Sequence, residues 1–156
     1  LLRRAAEAGL GVTVHAGEAG RADNVREAVE LLSAQRIGHG IRAIEDSTVV
    51  QLLRQRNIVL EVCPTSNLQT GAMSNFGHHP LRDLYQLGVT VTLNTDDPSV
   101  SDTTLTDEYL VTVRGMGLGL RDLRTFNRCA IRAAFLPADE RRVLEQQLLQ
   151  EFDARL

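Results

Sequence analysis

Four short apolar runs constrain this chain more than any other feature: VTVHAG (12–17), RIGHG (36–40), IVLEVCP (58–64) and VTVTLNTDD (89–97). Each is rich in Val, Ile, Leu or Thr and has the length of a strand. The segments between them have helical periodicity. ADNVREAVELLSAQ puts Val25, Ala28, Val29 and Leu32 on one face. EDSTVVQLLRQRN does the same with Val49, Val50, Leu52 and Leu53, and HPLRDLYQLG groups Leu81, Leu84 and Leu87 ahead of Gly88. Strand and helix alternate, which implies a parallel sheet with helical crossovers. The opening LLRRAAEAG reads as the end of an amphipathic helix stopped at Gly9. Further helices are expected near 103–115, 120–135 and 137–154. Two architectures satisfy this order: a complete four-stranded open sheet, or the C-terminal half of a (β/α)8 TIM-type barrel, which needs about eight such units. The helix ahead of the first run suits the half-barrel. Residues 1–156 then form a single partial domain whose N-terminal half lies outside this sequence.

Composition narrows the function classes. A chain of 156 residues, 43% hydrophobic and 24% charged, is an ordinary globular one. A net charge of -3 gives no electrostatic reason to bind nucleic acid or an anionic membrane. Lysine is absent, so neither a Schiff-base lysine nor a carbamylated lysine bridging two metals is available. Cys63 and Cys129 lack the spacing of a disulfide framework or a zinc knuckle. No segment resembles a signal peptide or a membrane span, and a cytoplasmic setting is expected.

Polar residues gather at the C-terminal end of every run. They are His15 and Glu18, then His39, then CPTSN (63–67) with Ser66 and Asn67, then Asp96 and Asp97. In parallel α/β folds that edge is where ligands bind. Singly, each has a plainer explanation. Glu18 suits a helix start, His39 a tight turn between Gly38 and Gly40, Ser66 and Asn67 a helix cap, and DDP a turn. Together, two histidines, a separate carboxylate and an aspartate pair suit a mononuclear zinc hydrolase. Zinc takes imidazole nitrogen and carboxylate oxygen and lowers the pKa of a bound water to about 7. Strand alternation would send Asp96 and Asp97 to opposite faces, one toward the metal and the other toward substrate. The spacing of His15 and Glu18 and the order of Cys63 and Pro64 exclude the cytidine-deaminase type of zinc site, and HExxH is absent.

The set TVHAGE, RIGHG, CPTSNLQTGA and LNTDDP, in that order, resembles adenosine deaminase of the metal-dependent hydrolase (amidohydrolase) superfamily, from about residue 4 to residue 136. The resemblance implies a (β/α)8 barrel holding one zinc ion. His15 and Asp96 would be zinc ligands, with two further histidines expected from an H-x-H in the N-terminal half. Glu18 would be the acid that protonates purine N1, and His39 would orient and deprotonate the attacking water. Asp97 would meet substrate N7 and so tell purine from pyrimidine, while Ser66 and Asn67 would line the site. His78 and His79 are read as surface or cap residues at a helix start. The reaction implied is hydrolytic deamination of adenosine or 2′-deoxyadenosine to the inosines and ammonia. The alternatives are a related aminopurine deaminase, acting on adenine or an N6-modified AMP, and a truncated non-catalytic half-barrel. The expected partner is a small purine nucleoside, with self-association through exposed strand edges. By alternation, Val12, Val14, Ile37, Val59, Val91 and Leu93 are expected to face the barrel interior.

Overall fold

The computed structural model describes residues 2–154. Helix α1 (Leu2–Glu7) leads into β1 (Thr13–Ala16), α2 (Ala22–Leu32), β2 (Arg36–His39) and α3 (Ser47–Gln55). Then come β3 (Val59–Val62), α4 (Pro64–Gln69), α5 (Leu81–Gln86) and β4 (Thr90–Leu93). The C-terminal part is helical: α6 (Pro98–Ser101), α7 (Leu105–Met116), α8 (Leu120–Ala133) and α9 (Ala138–Asp153). The strands are parallel and lie in the order β1-β2-β3-β4. This is the expected α/β part-barrel.

Sheet register explains the core. Val14, Ile37, Leu60 and Val91 stand in one row, and His15, Gly38, Glu61 and Thr92 in the next. The first row packs against the apolar stripes of Val25, Ala28 and Val29 on α2, Val49, Val50 and Leu53 on α3, and Leu81 and Leu84 on α5. Each valine, isoleucine and leucine among them contributes roughly 1.5–3 kcal/mol when fully buried. Phe126 of α8 closes the far end, edge-on to Tyr85 at 5.0 Å. Leu32 and Leu87 leave the expected stripes and are 37% and 47% exposed. Both sit where their helix ends and the chain turns off the sheet, at left-handed Ser33 and Gly88.

The expected barrel-facing set needs correction. Ile37, Val91 and Leu93 belong to the helix-packed cluster, and Val14 packs against it. Val59 lies in the opposite row, and Val12 precedes β1. Alternation separates two faces without saying which one the helices cover. Here the helices supply the apolar partner, and the other face is polar. Thr13 donates to Glu61 Oε2 at 2.7 Å, and Arg36 pairs with Glu61 Oε1 at 3.3 Å.

Caps define the helix starts. Asp46 accepts from the Thr48 N–H ahead of α3, and Thr104 and Asp107 form a reciprocal capping box ahead of α7. Helix α9 buries no side chain among its described residues and is tied to α8 by Arg124–Asp153 and Arg132–Glu145 pairs. No described helix is long and apolar enough to cross a membrane.

Candidate active site

The polar residues singled out in the sequence meet at the C-terminal edge of the sheet. His15 ends the exposed row of β1, and its ring lies 5.2 Å from that of His39. Gly38 beside it carries no Cβ for a steric reason: one would stand 3.0 Å from the His15 ring. His39 and Asp96 both have left-handed backbones, with φ of 63° and 62°. For residues other than glycine such geometry costs on the order of 1–3 kcal/mol and clusters at functional sites. It turns the chain where β2 ends and again in the loop after β4.

His39 is 1% exposed. Its Nδ1 lies 3.1 Å from the Asn67 amide nitrogen. Its Nε2 lies 3.4 Å from Glu18 Oε2 and 3.8 Å from Asp96 Oδ2. Burial lowers its pKa below the ordinary imidazole value, outweighing the opposite pull of the Glu18 and Asp96 charges. Glu18 is held through its other oxygen, Oε1, which accepts from Asn67 Nδ2 at 3.1 Å and Thr70 Oγ1 at 2.9 Å. The Ser66 hydroxyl donates to Asp96 Oδ2 at 2.7 Å. A cavity of about 400 Å³ opens over this edge, lined by His15, Glu61, Cys63 and Asp96 among others. The Cys63 thiol is buried, and its pKa is pushed far up, first by desolvation and then by the Asp96 and Glu108 charges. It therefore stays neutral beside the carboxylates.

Two of the plainer local readings are excluded and one holds. Glu18 does not cap α2, whose N-cap is Arg21. Ser66 and Asn67 lie inside α4, whose N-cap is Cys63, so they are not caps. Asp97 does cap a helix: its Oδ1 accepts from Ser99 and Val100 N–H at 3.0 and 3.2 Å. The paired aspartates are separated by the left-handed turn at Asp96 beyond β4, not by strand alternation as expected.

His79 is a further correction. His78 is exposed as expected, but His79 is only 4% exposed. Its Nδ1 accepts the Leu81 N–H at 3.2 Å, and its Nε2 lies 3.2 Å from Asn67 Oδ1. Sequence reasoning also missed Thr70, Glu61 and Glu108. Glu108 is fully buried and accepts from the Thr65 N–H and the Thr103 hydroxyl, which ties α4 to the start of α7. The available signal for His79 was a histidine two residues ahead of a helix start, where side-chain acceptors belong.

The donor set suits a metal. One ligand atom each from His15, His39 and Asp96 lie within 4.8 Å of one another. Two imidazoles and a carboxylate are ligand types that zinc takes, with three protein ligands usual at a catalytic site.

A parallel sheet with this polar edge defines part of an amidohydrolase-type barrel. The chain belongs to the adenosine deaminase family, whose pattern matches residues 2–151. It is 47% identical over 137 residues to an adenine deaminase of Sinorhizobium fredii, covering 86% of this chain and 42% of that protein. It is 42% identical over 145 residues to an adenosine deaminase of Clostridium botulinum, covering 93% and 43%. The adenine deaminase structure from Arthrobacter aurescens superposes with a TM-score of 0.93 at 35% identity, covering 98% of this chain and 47% of that one. An amidohydrolase from Burkholderia ambifaria with bound zinc gives 0.88 at 28% identity, covering 98% and 43%. The N6-methyl-AMP deaminase of Arabidopsis thaliana gives 0.80 at 30%, covering 97% and 43%. This chain thus spans less than half the length of these proteins.

Proposed function

We propose that these residues form the C-terminal part of the catalytic barrel of a zinc-dependent deaminase that converts adenosine and 2′-deoxyadenosine to the inosines and ammonia. The observation that supports this best is the convergence of His15, Glu18, His39 and Asp96 at one sheet edge, with His39 between two carboxylates. His15 and Asp96 would hold zinc, together with histidines from the N-terminal half that the family resemblance implies. Bound there, the ion would lower the pKa of the attacking water to about 7. Glu18 would give a proton to purine N1, a role supported by an Oε1 held by two donors and an Oε2 beside His39. His39 orients the water through Nε2. Ser66 holds the Asp96 carboxylate, and Asp97 contacts purine N7.

A second reading keeps the chemistry and changes the substrate to free adenine. It is favoured by the 47% identity to an adenine deaminase and by the 0.93 superposition on another. The test is a panel of adenosine, 2′-deoxyadenosine, adenine and N6-methyl-AMP, offered to the full-length zinc-loaded protein. Ammonia release and the ultraviolet change of the purine are followed. Preference for adenosine, lost on chelation, is expected. Turnover of adenine alone moves the assignment to the second reading. Full activity after exhaustive metal removal overturns the zinc mechanism.

A further inference from the structure

Asn67 is fully buried among Glu18, His39 and His79, and the reaction above gives His79 no part. The direction of every hydrogen bond in this cluster follows from one donor that has no alternative. The Leu81 backbone N–H points at His79 Nδ1 from 3.2 Å, so Nδ1 presents a lone pair. Neutral His79 then carries its proton on Nε2 and donates it to the Asn67 side-chain oxygen at 3.2 Å. The Asn67 amino group is thereby turned toward Glu18 Oε1 and His39 Nδ1, each at 3.1 Å. The opposite end agrees, because Glu18 Oε1, which also accepts from Thr70 Oγ1, faces the amino group as an acceptor. One amino proton goes to Glu18 and the second to His39 Nδ1. His39 therefore keeps its own proton on Nε2.

We propose that His79 is a positioning residue: through Asn67 it steadies Glu18 and locks His39 as the Nε2–H tautomer, so that His39 turns a hydrogen-bond donor toward the side where Glu18 Oε2 and Asp96 Oδ2 stand. The inference rests on the deaminase reading only for what that donor serves. A protonated nitrogen cannot ligate a metal, which separates His39 from His15 and Asp96 despite their proximity. Metal-ligating histidines usually donate from the other ring nitrogen, whereas here that nitrogen accepts. Nor can Nε2 take the proton of the attacking water.

The experiment uses the full-length zinc-loaded protein labelled with 15N-histidine, at a pH where free imidazole is neutral. His39 is expected to show a pyrrole-type Nε2 and a pyridine-type Nδ1. In His79→Asn the shorter side chain still accepts the Leu81 N–H locally but does not reach Asn67. A fall in kcat of roughly 10–100-fold is expected, with KM changed by less than about threefold and the His39 tautomers mixed. His79→Gln, which reaches Asn67 with an amide N–H, should restore the wild-type tautomer and most of kcat. Wild-type kcat with an unchanged His39 signal in His79→Asn overturns the proposal, as does a wild-type His39 protonated at Nδ1. Should His79→Asn fail to fold, Asn67→Asp decides. It replaces the donor with an acceptor and should move the His39 proton to Nδ1, and an unmoved proton overturns the proposal. A protein that turns over no aminopurine yet shows these tautomer shifts upholds the network and removes the deaminase reading.

Discussion

Burial pushes the His79 pKa from its ordinary 6.5 down to about 4, and this makes a stability prediction. The geometry agrees with that direction, because a proton on Nδ1 would set N–H against the Leu81 N–H. A base with a depressed folded pKa is neutral in the native state, while the unfolded chain takes up a proton below about pH 6.5. The stabilisation is therefore fully present above the unfolded pKa and is lost as pH falls toward the folded one. The drop from 6.5 to about 4, at 1.36 kcal/mol per pH unit, corresponds to about 3 kcal/mol overall, most of it lost between about pH 7.5 and about pH 4.5. Other groups titrate in the same window, so the measurement is a difference. Denaturant unfolding of the full-length protein and of His79→Gln is compared across that range. Glutamine fills the site without titrating, so wild type should lose about 2–3 kcal/mol more than the variant on acidification. Parallel curves for the two proteins would refute the reasoning.

Three further outcomes are expected. Asp96→Ala should lower zinc content in the complete protein, whereas Asp97→Ala should keep zinc, lower turnover and cost about 1 kcal/mol through the lost α6 cap; metal analysis giving the reverse pattern would show the pair to be assigned the wrong way round. Glu18→Gln should retain metal and lose roughly 10²–10⁴-fold in kcat, and a variant at wild-type rate would remove Glu18 as the acid. The 156-residue chain alone should associate through its unpaired β1 and β4 edges, bind little zinc and show no adenosine turnover; a monomer with stoichiometric zinc and activity would contradict this.

The fold was legible in the sequence because its signals are local. Strand runs and i, i+3, i+4 stripes survive without knowledge of what they pack on, and all four expected strands form. Facing was not legible, since alternation at Val14, Ile37 and Val91 marks a face without naming its partner. The site divides along the same line. His15 and His39 lie in β1 and β2, and Glu18 and Asp96 come shortly after β1 and β4, so naming the strands located them. Asn67 and His79 act through hydrogen bonds to residues 28, 49 and 12 positions away, and no spacing rule links such partners. DDP shows how a local and a functional reading share the same residues. The turn expected from Asp, Asp and Pro does form, with Asp97 as its cap and Asp96 in the left-handed region. That turn directs one carboxylate to the Ser66 hydroxyl and the histidine pair, and ties the other to the start of a helix. The left-handed backbone at Asp96 is the local cost of sending two adjacent carboxylates to different partners.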